Sequence, residues 1–358
     1  MVTTAAVRRL DETTNAAGPL AIVSDASAAD WDAFVMAHGA TGYHAWAWRG
    51  VFERAFGHET IYLAATRHGR VAGVLPLVLI DSWLFGRTLC SLPFVNYGGV
   101  AASDPDAAGA LLDRAATIAR ERRCRALELR HVRQAFPQLP CRTHKVAMHL
   151  ALAGDAAAVW DALDRKVRNQ VRKAQKSGLT AVVGAVDLLD EFYAVFARNM
   201  RDLGTPVYAR SFFREVLAAF PDAARIHVVR SGNVPVGASL TFRTGDVVEV
   251  PWASTVRDYN PLSPNQLLYW SMIERAASDR CAVFDFGRST PGEGTFKFKQ
   301  QWGAAPVPLH WEYVLPPGAQ VPNTSPTNPK FRTAIAAWKR LPLAIANFAG
   351  PHIVRAIP

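Results

Sequence analysis

The sequence is poor in cysteine and in signature motifs, and these shortages exclude several classes of protein. Its four cysteines are scattered and form no Cys-x-x-Cys pair, which argues against a zinc site and a disulfide framework. No Walker, GxGxxG, HExxH or GxSxG motif occurs, so nucleotide hydrolysis, dinucleotide redox, zinc proteolysis and α/β-hydrolase chemistry lose support. No run reaches the roughly 20 apolar residues of a membrane span. We therefore expect a cytoplasmic protein without a metal site.

Acidic residues are also in the minority, and the excess is arginine. There are 40 Lys and Arg against 30 Asp and Glu, which gives a formal net charge of +10. Arginine forks bind phosphate and carboxylate, so the expected partners are an anionic small molecule, a lipid-linked precursor or an anionic membrane surface. With 50% apolar and 20% charged residues the chain should fold, and its 358 residues favour two domains.

Two segments repeat the order hairpin, strand, helix, strand, which predicts an α/β (α+β) protein of two similar domains. The first copy covers 61–66, 71–80, 89–95, 105–123 and 126–130; the second covers 226–229, 236–242, 247–252, 264–278 and 283–286. Helices are predicted at 156–177 and 188–203. The predicted domains are a flexible 1–19, 20–152, 153–315, and a linker with a helical tail at 316–358. We expect this apolar tail, which prolines interrupt, to pack on the body rather than to anchor at a membrane.

The segment 284–303 is the strongest candidate site. A buried strand ends in Gly-Arg-Ser and opens into a glycine-containing loop with two lysines, a pattern typical of an anion pocket. Arg288 and Lys297 are candidate substrate-binding residues and Lys299 a candidate catalytic cation. Asp285 is a candidate acid or base, although an inward strand aspartate is as often a structural hydrogen-bond acceptor. The alternative is a packed loop with solvated lysines.

Two other segments carry candidate anion-binding residues. Arg168 and Arg172 belong to a cationic stripe on the predicted helix 156–177, which either binds a polyanion or is a solvated face. Tyr259 and Asn265 flank the start of the helix at 264, where a helix N-terminus binds anions, although helix capping explains these residues equally well. Further substrate-binding candidates are Trp252, at the end of a predicted strand, and Tyr97, in a Tyr-Gly-Gly loop.

Six short motifs run along the chain: WLFGR at 83–87, SLPF at 91–94, YGG at 97–99, KVRNQVRKA at 166–174, FGRS at 286–289 and GTFKFKQQWG at 294–303. In this order they resemble the FemAB family, in particular its branch associated with exosortase and PEP-CTERM exopolysaccharide systems. The resemblance spans about 31–313 and implies two tandem GNAT-like acyltransferase domains.

The resemblance implies an N-acyltransferase that forms an amide bond without metal, with Lys299 as a cation near the substrate phosphate or the developing oxyanion. The acceptor would be an amine of a cell-envelope or exopolysaccharide precursor at the cytoplasmic face of the inner membrane. No bound cofactor is implied; the activated donor is aminoacyl-tRNA or acyl-CoA. Both stay open, because 156–177 is too short for the two-helix arm of Gram-positive Fem enzymes and the usual GNAT pyrophosphate loop is absent.

Two alternatives share the same surface. One is a non-catalytic accessory protein that binds an anionic polysaccharide or a lipid-linked precursor in exopolysaccharide assembly. The other is tRNA binding through the helix that carries Arg168 and Arg172. DNA is not an expected partner.

Overall fold

The computed structural model describes residues 18–83, 85–322 and 332–357. The predicted flexible segment 1–19 lies outside the described residues apart from its last two. In the described ranges, no helix is long and apolar enough to cross a bilayer.

The first half of the chain alternates strands and helices. Its strands are β1 (Leu20–Val23), β2 (Glu59–Arg67), β3 (Arg70–Ser82), β4 (Gly86–Cys90), β5 (Ala101–Ala102), β6 (Ala126–His131), β7 (Cys141–Arg142) and β8 (Val146–Ala151). Its helices are α1 (Ala28–Ala37), α2 (Trp48–Phe56) and α3 (Pro105–Glu121). Asp104 caps α3 through the amide of Ala107, and Pro105 stands where its missing N–H costs nothing.

The second half repeats this order. Its strands are β9 (Leu179–Gly184), β10 (Ala224–Ser231), β11 (Val234–Thr244), β12 (Val247–Thr255), β13 (Val283–Ser289), β14 (Ala305–Pro308) and β15 (His310–Val314). Its helices are α4 (Ala156–Ala162), α5 (Arg165–Lys176), α6 (Leu189–Leu203), α7 (Arg210–Ala219), α8 (Pro264–Ser278), α9 (Gly294–Gln301), α10 (Arg332–Trp338) and α11 (Leu343–Val354).

Three local predictions need correction. The predicted helix 156–177 is two helices, because Leu163 is extended and Asp164 caps α5 through the amide of Lys166. The predicted lysine-bearing loop after β13 is a short loop followed by the helix α9. The apolar tail contains the helix α11: Pro342 stands just before its first turn, and Pro351 lies within the helix close to its end.

The two halves exchange strands. One sheet has the order β1-β2-β3-β4-β6-β15-β7, with β5 beside β3, and the other has the order β14-β8-β13-β12-β11-β10-β9. The strand β8 thus lies in the second sheet although it precedes the predicted boundary at 152. The strand β15, from the end of the second half, completes the first sheet beside β6. Each sheet therefore contains chain from both predicted domains.

The halves also share one hydrophobic core. Trp48 of α2 lies 5.0 Å from Phe220, and Phe56 lies 4.9 Å from Phe212 of α7, between ring centroids. Tyr43 stacks on Phe242 of β11 at 6.0 Å. Aromatic pairs at these separations contribute stability beyond the area that they bury, so the two sheets are held in a fixed relation.

The contribution of β15 to the first sheet can be tested at Glu312. Its side chain is 0% exposed; Nδ1 of His131 lies 2.6 Å from it, and the amides of Ala135 and Phe136 donate to it at 3.1 and 2.7 Å. Glu312→Ala should lower the free energy of unfolding by about 3 kcal/mol, because it strands buried donors. The exposed pair of Asp81 and Arg87 supplies the control: Asp81→Ala should cost less than about 1 kcal/mol. Equal urea midpoints for the two variants would contradict this role.

Candidate active site between the two sheets

A gap opens in the second sheet where β12 and β13 part. These parallel strands pair only from Val247 opposite Val283 to Glu249 opposite Asp285. Beyond that point β13 bulges against β8 between Asp285 and Arg288. Gly287 lies in the bulge with φ +71°, and a Cβ there would meet the carbonyl oxygen of Val250 at 2.7 Å. Only glycine fits this left-handed, crowded position.

Three titratable side chains stand in a row across this sheet, just before the gap. Glu249, Asp285 and His149 are register neighbours on β12, β13 and β8, and directly opposite residues project from the same face. Nε2 of His149 lies 3.4 Å from a carboxylate oxygen of Asp285. The loop after β4 reaches this row from the other half: Tyr97 donates a hydrogen bond to Asp285, and Asn96 donates one to Glu249.

Two members of this row have raised pKa values. Burial, together with the charge of Asp285, raises the pKa of Glu249 well above the ordinary value of a glutamate. A hydrogen bond with Asp285 raises the pKa of His149 against the opposing effect of its burial. His149 keeps 34% of its side chain exposed, so it is the member of the row that a substrate can reach. A carboxylate that orients an accessible imidazole is an arrangement suited to general base catalysis.

Lys299 connects the row to the bulge. Its ammonium, on the buried side of α9, donates to the carbonyl oxygens of Gly287 at 3.1 Å and Arg288 at 2.9 Å. An ammonium has three N–H donors, so one remains beyond these two. Burial lowers the pKa of Lys299 to about 8, with the charge of Arg288 acting in the same direction and that of Asp285 opposing it.

Arg288 lies near two other cations, Arg130 and Lys145, and of the three only Arg130 has an ion-pair partner in the described residues. Its guanidinium lies over the ring of Trp311 at 5.3 Å, and Arg130 lies over the same ring at 4.6 Å. Arg130 has a partner in Glu128 at 2.7 Å. Arg288 forms no ion pair with any residue that the structure describes. Burial and the charge of Arg288 lower the pKa of Lys145, against the opposing charge of Glu293. Lys145 donates to the hydroxyl of Thr290 at 2.7 Å and forms no ion pair within the described residues. An anion would neutralise these two cations.

A cleft lies on the opposite face of the second sheet. It has a volume of about 300 Å³ and its lining includes Lys166, Gln170 and Lys173 of α5, Ser263 and Gln266 at the start of α8, and Phe298 and Trp302. Trp302 packs near Phe286, 6.4 Å between ring centroids. Adjacent strand residues project to opposite faces, so the cleft and Asp285 lie on either side of the sheet. The sheet separates the cleft from Asp285, and the gap between β12 and β13 after Glu249 and Asp285 is an opening in that sheet.

The start of α8 faces this cleft without a side-chain cap. Ser263 has φ 63°, and its hydroxyl does not cap the helix but donates to Gln170 of α5 at 2.8 Å. A polar helix N-terminus flanked by Lys166 and Lys173 is suited to bind a phosphate.

Comparisons with known proteins agree with this architecture. Residues 161–300 match the family model described as Acetyltransferase (GNAT) domain. The crystal structure of FemX superposes with a TM-score of 0.60 at 15% identity, covering 81% of this chain and 96% of FemX. The chain has a tandem GNAT fold. A tandem GNAT protein from the clavulanic acid biosynthesis pathway superposes at 0.52 with 13% identity, covering 82% of this chain and 97% of its own.

A third similar structure is the C-terminal domain of a putative lysylphosphatidylglycerol synthetase from Agrobacterium fabrum. Its TM-score is 0.55 at 11% identity, and the match covers 87% of this chain and 94% of that domain. No curated protein sequence matches the chain. The FemAB-like expectation thus holds at the level of the fold.

The tandem GNAT fold brings together four of the predicted site residues: Tyr97, Asp285, Arg288 and Lys299. It keeps Arg168 and Arg172 apart from them, on the side of α5 away from the cleft. The guanidinium of Arg172 lies 5.4 Å from the ring of Trp160, and that of Arg168 lies 3.7 Å from a carboxylate oxygen of Asp161. The cations of α5 that line the cleft are Lys166 and Lys173 instead.

The other predicted residues lie around the site rather than in it. Trp252 is a core residue, with Phe212 and Phe213 edge-on at 5.3 Å. Lys297 is exposed on α9. Tyr259 packs against the core that the two halves share and against a second core beneath α5 and α8. Neither Tyr259 nor Asn265 lines the cleft, although residues next to them in the chain do.

Sequence reasoning missed His149, Lys145, Glu249 and Asn96. The first two flank or belong to β8, whose place in the second sheet no local pattern indicates. Glu249 is a charge inside an otherwise apolar predicted strand, which was an available signal. Within the described part of the chain, no three His, Cys, Asp or Glu side chains come together as metal ligands.

The gap can be tested at Gly287. Gly287→Ala adds a methyl group 2.7 Å from the Val250 carbonyl oxygen and 3.1 Å from the Asn96 amide nitrogen, whereas Gly292, with φ +84°, has open space around its Cβ position. Both variants pay left-handed strain of about 1–2 kcal/mol, but only Gly287→Ala must also displace the bulge. We expect a clearly lower melting temperature for Gly287→Ala than for Gly292→Ala. Equal melting temperatures would show that the bulge is not crowded in solution.

Proposed function

We propose that this protein is an N-acyltransferase that joins an acyl or aminoacyl group to an amine of a cell-envelope or exopolysaccharide precursor. The observation that carries the proposal is the gap between β12 and β13. It lies between the cation-lined cleft on one face of the sheet and, on the other face, the accessible His149 paired with the buried Asp285 near Arg288 and Lys145. A donor and an acceptor approaching from opposite faces would meet there.

The cleft is the proposed donor site. Acyl-CoA and aminoacyl-tRNA both carry phosphates, which Lys166, Lys173 and the start of α8 can bind. The GNAT family match supports an acyl-CoA donor, and the likeness to FemX supports an aminoacyl donor. Testing both donors decides between them.

The cations on the other face are the proposed acceptor site. Arg288 and Lys145 form no ion pair in the described ranges, and Arg288 lies over the ring of Trp311. A phosphate-bearing precursor would supply the missing negative charge. Its amine would then lie next to His149, the accessible end of the row. The exopolysaccharide branch remains a prediction from the sequence motifs.

The proposed reaction uses groups that are already in place. The acceptor nitrogen attacks the acyl carbonyl carbon, an N–C bond forms, and the C–S or C–O bond to the donor breaks. His149, oriented by Asp285, takes the proton that the nitrogen loses. The remaining N–H of Lys299 stabilises the oxyanion, and with a pKa of about 8 this ammonium can protonate the leaving sulfur or oxygen.

A binding role without turnover is the second candidate. It is favoured by the same unneutralised Arg288 and Lys145, which can hold an anionic polysaccharide or a lipid-linked precursor with no donor present. Salt-sensitive binding of the precursor, with no product from either donor, would select this function.

Lys299 and Arg288 test the transferase. Lys299→Met should lower kcat by about 10²–10³-fold by removing the cation at the oxyanion, and Arg288→Met should mainly raise the KM for an anionic acceptor. The control is Arg114→Met, an exposed arginine of α3. Activity is measured as the mass added to extracted envelope or polysaccharide precursors, with each donor in turn. Unchanged kinetics in both site variants at wild-type stability would sink the assignment.

The pH dependence tests the base. His149 must be neutral to accept a proton, so kcat/KM should rise with pH through its raised pKa. Asp285→Asn removes the charge that raises this pKa, so the acidic limb should move to lower pH. His149→Gln should lower kcat by about 10²–10⁴-fold and abolish that limb. An acidic limb that stays in place in Asp285→Asn would assign the base to another group.

A further inference from the structure

The helix α11 has two unlike faces. Its inner face is made of small residues: Ala346 is 1% exposed, and Gly350 packs so closely that a Cβ there would lie 2.8 Å from the amide nitrogen of Val207. Val354 is 7% exposed on the same face. Residues four apart lie on one side of a helix, so this close packing fixes which side of α11 faces the body. The prediction that the tail packs on the body is confirmed for this side.

The outer face of α11 is apolar although nothing in the described chain covers it. Phe348 is 76% exposed, Ile345 51% and Ile353 42%. The ring of His352 lies 5.7 Å from that of Phe348. A helix on the surface of a water-soluble body ordinarily exposes charged residues on its outer side, and an exposed apolar group of this kind marks a contact site.

The charged residues of the tail that carries α11 have one sign. From residue 313 to residue 358 the sequence contains no Asp or Glu. The exposed cations Lys339 and Arg340 precede α11, and the exposed Arg355 follows it. An apolar helix face bordered by cations matches the interface of an anionic bilayer, which offers acyl chains beneath negatively charged headgroups.

We propose that the outer face of α11 docks the protein on an anionic lipid bilayer, with the helix lying in the plane of the interface. Phe348 and Ile345, with Ile353 at the edge of this face, would enter the headgroup and acyl boundary, while Lys339, Arg340 and Arg355 contact lipid phosphates. At 12 residues α11 is about 18 Å long, which suits lying in the interface. A second copy of the chain is a poorer occupant, because three side chains fall well short of the about 800 Å² per partner of a stable interface.

The position of α11 bears on the proposed transfer. Val207, which the helix covers, is followed by Tyr208, and Tyr208 packs 5.8 Å from Phe94 and lies within electrostatic reach of Arg288 and Arg130. Docking through α11 would therefore bring the cation group toward the side from which a lipid-linked acceptor arrives. This orientation rests on the proposed function, whereas the docking itself does not.

Vesicle binding tests the docking. The full chain is sedimented with vesicles of phosphatidylcholine alone or with about one third phosphatidylglycerol, without donor or acceptor. We expect binding to the anionic vesicles that weakens with salt. The double variant Ile345→Ser with Phe348→Ser should bind at least about tenfold more weakly, since it removes two apolar side chains that the bilayer would bury. Lys339→Gln with Arg340→Gln should weaken binding and reduce its salt dependence.

Met36→Ser is the matched control, because Met36 is 77% exposed on the distant helix α1; it should bind as the wild type does. Melting temperatures establish that each variant is folded. Equal binding of the Ile345/Phe348 variant and the wild type, or no binding to anionic vesicles, would overturn the proposal. A concentration-dependent dimer that the same variant abolishes would assign the face to a second copy. A protein that binds vesicles but transfers no acyl group would overturn the proposed function and leave the docking intact.

Discussion

The parting of β12 and β13 after Glu249 and Asp285 is the constraint on which the candidate site depends. Two parallel strands cannot keep their hydrogen-bond ladder across the bulge at Gly287, so the sheet opens there. The bulge turns two carbonyl groups toward Lys299, which is thereby held beside the opening. A side chain at Gly287 would press on the Val250 carbonyl. The opening and the placement of the cation are consequences of one backbone irregularity, and the row of Glu249, Asp285 and His149 lies at its edge.

The site exists only because the two halves are tied together. Tyr97 and Asn96 come from the first half and contact Asp285 and Glu249 in the second. Trp311 lies on β15, a strand that the second half contributes to the first sheet. Its ring contacts two cations, Arg130 and Arg288. A low-dielectric interior makes each of these polar contacts stronger, and equally makes each costly to leave unpaired. The shared aromatic core therefore protects the geometry of the proposed chemistry.

Part of the site could be predicted from the sequence because its residues are local. Asp285, Arg288 and Lys299 lie within one short segment, where a strand end, glycines and cations are visible side by side. His149 and Lys145 could not be found in this way. They reach the site through the pairing of β8 with β13, and a strand's own alternation indicates that it is buried but not which strand it pairs with.

The sequence by itself determined the repeated order of elements, the bounds of α8 at Pro264 and Ser278, and the positive charge. These follow from local rules: proline at a helix start, turn residues and hydrophobic periodicity. Only the tertiary structure decided that β8 and β15 change sheets, that α5 presents Lys166 and Lys173 to the cleft, and that α11 turns Phe348 outward. These features depend on packing between segments far apart in the chain, which no short stretch of sequence specifies.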